Sequence, residues 1–129
     1  MKRHLLLLIT AMLFSTATAF AQGGTTGPLT WSINDGTLII SGTGTMPDYN
    51  FWDNRSPWYE YRESFNACII ETGVVNVGKF AFDGCYNLTS ITLSNSILLI
   101  DEGGFRDCGL SSIYIPSSIT SFKYSYATK

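Results

Sequence analysis

Few side chains of this 129-residue chain could do chemistry. There are three cysteines, Cys68, Cys85 and Cys108, and one histidine, His4. A thiolate beside an imidazole makes a nucleophile, and Cys/His sets hold zinc. Paired carboxylates cleave glycosidic bonds, and Asp48, Asp53, Glu60 and Glu63 stand in one aromatic-rich stretch. Two exported cysteines can close a disulfide. Which of these chemistries survives depends on the elements that hold the residues.

Imidazole chemistry falls first. Residues 1–21, MKRHLLLLITAMLFSTATAFA, begin with Lys2 and Arg3 and run apolar from Leu5 to Phe14, broken only by Thr10. They end on Ala19-Phe20-Ala21, the small-x-small pattern of a cleavage site. This reads as a secretory signal peptide. The apolar run falls short of the about 18 residues that span a bilayer. No cysteine follows the cleavage site, which argues against a lipoprotein anchor. No second long apolar stretch exists, so no membrane insertion of the mature chain is expected. The mature product is expected to be exported: secreted, periplasmic or on the cell surface.

The mature chain would run from Gln22 to Lys129, one domain in size. Losing Lys2 and Arg3 leaves 8 − 2 = 6 basic residues against 10 acidic ones, a net charge near −4. That makes nucleic acid a poor partner, because binding it needs a basic face. Cleavage also removes His4, and with it every mechanism or metal set that needs imidazole. No metal, no cofactor and no enzymatic activity are expected.

The cysteines recur within a repeat. Phe82-Asp83-Gly84-Cys85 returns at a shift of 23 as Phe105-Arg106-Asp107-Cys108. The same shift carries Val74 onto Ile97 and Val77 onto Ile100, and carries Phe65, Cys68 and Ile70 onto Leu88, Ile91 and Leu93. A third copy, offset by 22, holds Leu110, Ile113, Ile115, Ile119 and Phe122. A reactive cysteine is needed once, whereas one that recurs with its apolar frame is a packing position. A Cys85–Cys108 disulfide remains chemically open, since adjacent coils could bring the Cα atoms to about 5.5 Å. The odd total of three argues against a planned framework.

LTSITL (88–93) and LSSIYI (110–115) alternate apolar and β-branched residues, as short half-buried strands do. Stacked copies would pair these strands in a parallel ladder. Outward residues then align as Ala67, Ser90, Ser112, as Ile69, Thr92, Tyr114, and as Glu71, Ser94, Pro116. From these rows Ile69, Glu71, Ser90, Thr92, Ser112 and Tyr114 form a candidate binding face. The Phe-x-x-Cys corner is expected to make a short helical turn. Gly103-Gly104, standing where Phe80-Ala81 stand one coil earlier, is expected to loosen it.

These residues, CIIETGVVNVGKFAFDGC (68–85) and LTSITLSNSILLIDEGGFRDC (88–108), resemble the BspA-like leucine-rich repeats of Bacteroides-like surface and secreted proteins. The resemblance covers residues 65 to about 122. It implies a right-handed leucine-rich-repeat solenoid, β-rich α/β, of parallel strands and short helical turns. It also implies a non-catalytic role in adhesion or protein binding. After Phe122 the third copy degrades into KYSYATK, which reads as a shortened array or an improvised cap.

Upstream, LTWSINDGTLIIS is a hairpin candidate. With Asp35-Gly36 as the turn, Ile33 faces Leu38 and Trp31 faces Ile40. The expected organisation is residues 1–21 as leader, 22–64 as an N-terminal cap, and 65–129 as repeats (65–87, 88–109 and a partial 110–129). Tyr49, Phe51, Trp52, Trp58, Tyr59, Tyr61 and Phe65 crowd into the segment 49–65. They read as a plug over the first coil, or as a glycan or protein contact through Trp52, Trp58 and Tyr59.

The expected function is binding of a host or neighbouring-cell protein. The alternatives are a glycan-binding module built on residues 49–61, or a truncated array without independent function. An open third coil would also permit self-association.

Overall fold

The structure, a computed structural model, describes residues 22–123. Residues 1–21, expected above to be a signal peptide, and residues 124–129 lie outside the described residues. Strand β2 (Leu29–Asn34) and strand β3 (Thr37–Gly42) make the hairpin. Asp35 and Gly36 take φ of 49° and 77°, the left-handed pair that matches strand twist. Ile33 faces Leu38 and Trp31 faces Ile40, all four buried. One strand has no counterpart in the sequence reading: β1 (Gln22–Thr26) pairs antiparallel with β2. Its QGGTT sequence carries no apolar alternation. What it offers is closeness, since a Cβ on Gly23 would lie 2.9 Å from the Trp31 carbonyl oxygen.

From β3 onward the sheet is parallel. Strand β4 (Ala67–Ile70) pairs with β3. Two further strands, β5 (Asn76–Val77) and β6 (Ser90–Leu93), follow, and β6 pairs with β4. The sheet order is β1-β2-β3-β4-β6. A second parallel sheet lines β5 up with β7 (Leu99–Ile100) and β8 (Ser121–Phe122). Cys68 sits beside Ile91 and Val77 beside Ile100, each a step of 23. Ile100 sits beside Phe122, a step of 22. The sequence period is thus the spatial step between coils.

The corner between the sheets is not helical. The only helical turn among the described residues is a 3₁₀ turn at Tyr59–Tyr61. At the corner, backbone donors alternate. Ala81, Asp83 and Cys85 donate back to the carbonyls of Gly78, Phe80 and Phe82. Phe80, Phe82 and Gly84 donate across to Glu102, Gly104 and Arg106 of the next coil. Each of these donors is satisfied, half of them by the neighbouring coil. This requires positive φ at two places per coil: Phe80 (53°) and Gly84 (76°), then Gly103 (64°) and Asp107 (56°). The expected loosening at Gly103-Gly104 is therefore corrected. Glycine is the residue best suited to that backbone, and a Cβ on Gly103 would sit 2.4 Å from the Phe80 ring.

The third copy departs from its frame. Leu110 is buried and Ile113 packs partly on the core, but 110–115 joins no strand. Ile115, an inward position in the repeat, is 37 % exposed. The inner residues of the two earlier coils are covered on both sides. Among the described residues nothing stacks beyond 110–115, so ordering it as a strand would cost backbone entropy and bury one side only.

A coil also precedes the expected first one. Tyr49 N–H donates to the Lys79 carbonyl, and Gly44 bridges Val74. The Asn76 amide accepts from Met46 N–H at 2.6 Å and donates to Met46 O at 3.1 Å, imitating a strand's peptide group. Each of these three pairs is separated in sequence by the same offset of 30. Trp58 stacks on Phe82 with ring centroids 5.6 Å apart, and there the offset is 24. Six extra positions therefore lie between Tyr49 and Trp58, and they hide this coil from a fixed-period search. The core runs through it as one column of rings, Trp58, Phe82 and Phe105, with Trp31 and Tyr49 edge-on to Trp58. Tyr49 also hydrogen-bonds Thr26 and so ties β1 to this coil.

Candidate functional site

The cysteines sit inside this stack. Cys68 and Cys85 are buried, Cys108 is half-buried, and all three are free thiols. Burial raises all three, with the neighbouring thiol and carboxylate charges adding to the effect at Cys108. At Cys85 burial, then Asp83, push the thiol up to about 12, against a smaller opposing pull from Arg62 and Arg55. Cys108 Sγ–H donates to the Phe82 carbonyl oxygen at 3.0 Å. Thiols held neutral in this way are poor nucleophiles. Among the described residues no cluster of three His, Cys, Asp or Glu is placed to hold a metal ion.

The aromatic segment divides sharply. Trp58 is fully buried, and its Nε1–H donates to the Ala81 carbonyl at 2.9 Å. It therefore drops out as a ligand contact: it fills the position that Phe82 and Phe105 fill in later coils. Tyr59 is half-buried under two guanidinium groups, Arg55 at 3.9 Å and Arg62 at 4.1 Å from its ring centroid. Arg55 also pairs with Asp83 at 2.8 Å, and Arg106 reaches the same carboxylate at 2.7 Å from the next coil. Trp52, 67 % exposed, is the ring of this segment most open to solvent.

The extra residues form an ordered loop. Asn50 Oδ1 accepts from the N–H groups of Trp52, Asp53 and Asn54, at 3.0, 2.9 and 2.9 Å. Asn50 Nδ2 donates to Asp53, and Asn50 N–H donates to the Asn54 carbonyl. Trp52 stands edge-on to Phe51 at 4.6 Å, and Phe51 in turn meets Phe80 at 5.3 Å. The Arg106 guanidinium lies 4.1 Å from the Phe51 ring centroid.

The sheet face brings together four of its six expected residues. Ser32, Ile39, Ile69 and Thr92 form one row across β2, β3, β4 and β6. Thr37, Ala67 and Ser90 form the next. Beyond the strand ends, Ser94 Oγ–H donates to the Glu71 carbonyl. Ile69, Ile70, Glu71, Thr72, Thr92 and Ser94 line an open depression of about 470 Å³. Ser112 and Tyr114 do not belong to this face, because their segment forms no strand, and Tyr114 is 78 % exposed. Thr37 and Ile39 were missed: the alternation of TLIIS showed a hairpin strand, but not that its free edge would start the parallel ladder.

The same coils are found in known proteins. The family model described as BspA type leucine rich repeat region (6 copies) matches residues 55–128. A solved leucine-rich repeat protein from Eubacterium ventriosum is 32 % identical, with a TM-score of 0.69. The match covers 79 % of this chain, which spans only 28 % of that protein. A leucine-rich repeat protein from Bacteroides capillosus (19 % identity, TM-score 0.51) matches over 81 % of this chain and 93 % of its own. A leucine rich cell surface protein from Faecalibacterium prausnitzii (17 %, TM-score 0.51) matches over 82 % of this chain and 52 % of its own. These last two likenesses concern the fold alone. No curated protein matches the sequence. No helix among the described residues is long and apolar enough to cross a membrane.

Proposed function

The chain belongs to the BspA-type leucine-rich repeat family, and on that premise we propose that it is a non-catalytic, exported module that binds another protein through the exposed face of β3, β4 and β6. The observation that carries this reading is the row Ile39–Ile69–Thr92. In it Ile69, 39 % exposed, stands between the uncharged Ile39 and Thr92 beside an open depression. A flat face of this kind, with one acidic residue, Glu71, at its margin, suits a protein surface better than a small molecule. Export is supported by the leader-like residues 1–21, and a surface location by the likeness to the cell surface protein of Faecalibacterium prausnitzii. In this reading the coils form a solenoid, and β1 with β2 close its N-terminal end. The uncovered third coil is where a second copy would associate.

The test is surface plasmon resonance of residues 22–129 against a panel of purified extracellular-matrix proteins. Binding to at least one of them, lost in Ile69→Lys and Thr92→Lys with unchanged melting, is expected. Binding that survives both substitutions, or is absent across the panel, overturns the assignment.

A further inference from the structure

The loop between Tyr49 and Trp58 is an insertion into a repeat, absent from the two coils that follow. Paired positions on β4 and β6 are offset by 23, whereas those on β3 and β4 are offset by 30. The added residues do not contribute to the ring column. They are instead pinned by Asn50, whose side-chain oxygen takes up three successive backbone N–H groups. Ordering a loop this fully and then leaving its largest apolar side chain in water is unfavourable in the isolated protein, so the arrangement is suited to a ligand.

The ring is also supported from behind. Phe51 meets Trp52 at 86° and rests on Phe80, and the Arg106 guanidinium, itself fixed by Asp83, covers the Phe51 ring. Trp52 is therefore held by a chain of contacts leading into the second coil, with one side turned outward. Beside it is a depression of about 470 Å³ lined by Trp52, Asp53, Arg55, Ser56, Pro57 and Glu60. Such a volume suits one or two sugar rings and lies within the usual range for small-ligand sites.

We propose that this loop is a saccharide-binding site, independent of the sheet face, in which Trp52 stacks on the apolar face of a neutral pyranose while Asp53 and Glu60 accept hydrogen bonds from its hydroxyls. The surroundings of the tryptophan decide the ligand class. A protein-binding hot spot sits at the centre of an apolar patch that excludes water. Trp52 has Phe51, 37 % exposed, on one side only, and toward the depression its rim is polar, with both carboxylates exposed. Carboxylates and a flat ring satisfy the two sides of a pyranose: the carboxylates take hydroxyl donors, and the ring meets the C–H face. The nearby cation, Arg55, is already tied to Asp83 and stacked on Tyr59, so an anionic sugar gains no open positive partner here.

The test uses residues 22–129 and isothermal titration with cello-, laminari-, manno- and chito-oligosaccharides, followed in parallel by tryptophan fluorescence. At least one series is expected to bind and to perturb the emission. Trp52→Ala is expected to weaken that binding by about tenfold or more, with an unchanged melting transition, and Glu60→Gln to weaken it in part. Thr92→Lys, on the sheet face, leaves sugar binding unaltered, so failure here and failure of the protein-binding role are separately visible. No binding in any series, or binding that Trp52→Ala leaves intact, overturns the proposal. Should Trp52→Ala instead remove binding to a matrix protein while no sugar binds, the loop is a protein contact and the saccharide assignment fails.

Discussion

Phe82 and Phe105 stack nearly parallel, with ring centroids 5.4 Å apart and planes 9° apart. Such stacking follows from translating one residue by one coil, and Trp58 continues it at 5.6 Å and 27°. The middle ring has a partner on each side, so Phe82→Ala removes both contacts and leaves a cavity. The expected cost is ~3–5 kcal/mol, a large share of the ~5–15 kcal/mol that a domain of this size has. Phe82→Leu, which keeps most of the volume, should cost less than half as much. Urea unfolding midpoints measure both. A Phe82→Ala midpoint within error of the parent would mean that the column does not hold the coils together.

Gly103 tests the corner. Its φ of 64° suits glycine, and an added Cβ would meet Phe80 at 2.4 Å. Gly103→Ala should therefore destabilise by ~1–3 kcal/mol, through strained backbone and a displaced ring. In the background of Phe80→Ala the collision is gone and only the backbone part remains. The double-mutant cycle should show coupling of ~0.5 kcal/mol or more. Additive effects would locate the whole penalty in the backbone.

The two coils with complete motifs were legible because identical demands at identical places leave a period. Cys68 over Ile91 and Val77 over Ile100 could be read from spacing alone. The coil before them was not legible. Its insertion breaks the period, its column position is taken by Trp58 instead of phenylalanine, and its strand doubles as half of a hairpin. The third coil misled for the opposite reason. LSSIYI has the pattern of a strand, but pattern reports what a segment can bury, not whether anything covers it. Corner geometry was hidden too, since Phe80 adopts a positive φ that its residue type does not advertise. Of the candidate face, β4 and β6 were readable and the hairpin's contribution was not.

Asp83 joins three segments. Its side chain, 4 % exposed, accepts from Arg55 in the coil before it and from Arg106 in the coil after it. Asp83→Asn leaves two guanidinium groups facing a neutral amide. The arginines are partly exposed, and solvent screening reduces the penalty to ~2–3 kcal/mol, below that of a fully buried pair. Arg55→Met should cost less, because Asp83 keeps Arg106. Equilibrium unfolding of the two variants gives the order, and Arg55→Met proving the more damaging would contradict this account of the network.

The buried thiols make stability fall at alkaline pH. An ordinary cysteine here would ionise near 9.0, whereas burial, with Asp83 adding to it, holds Cys85 protonated up to about 12. Between those values the unfolded chain releases a proton that the native chain keeps. The contribution is thus fully present below pH 9 and is lost as pH rises toward 12. Each such thiol adds a slope of about 1.4 kcal/mol per pH unit in that window. Cys68 and Cys108 are shifted the same way, so the decline should be steep. Denaturant midpoints at neutral pH and near pH 10 should separate clearly, and Cys85→Ala should narrow the gap between them. Thiol labelling provides the companion measurement. A disulfide-exchange reagent should modify the buried Cys68 and Cys85 of the native protein only at the rate at which it opens. Rapid stoichiometric labelling of native Cys85, or a midpoint that does not move with pH, would show that the core does not keep these thiols protonated.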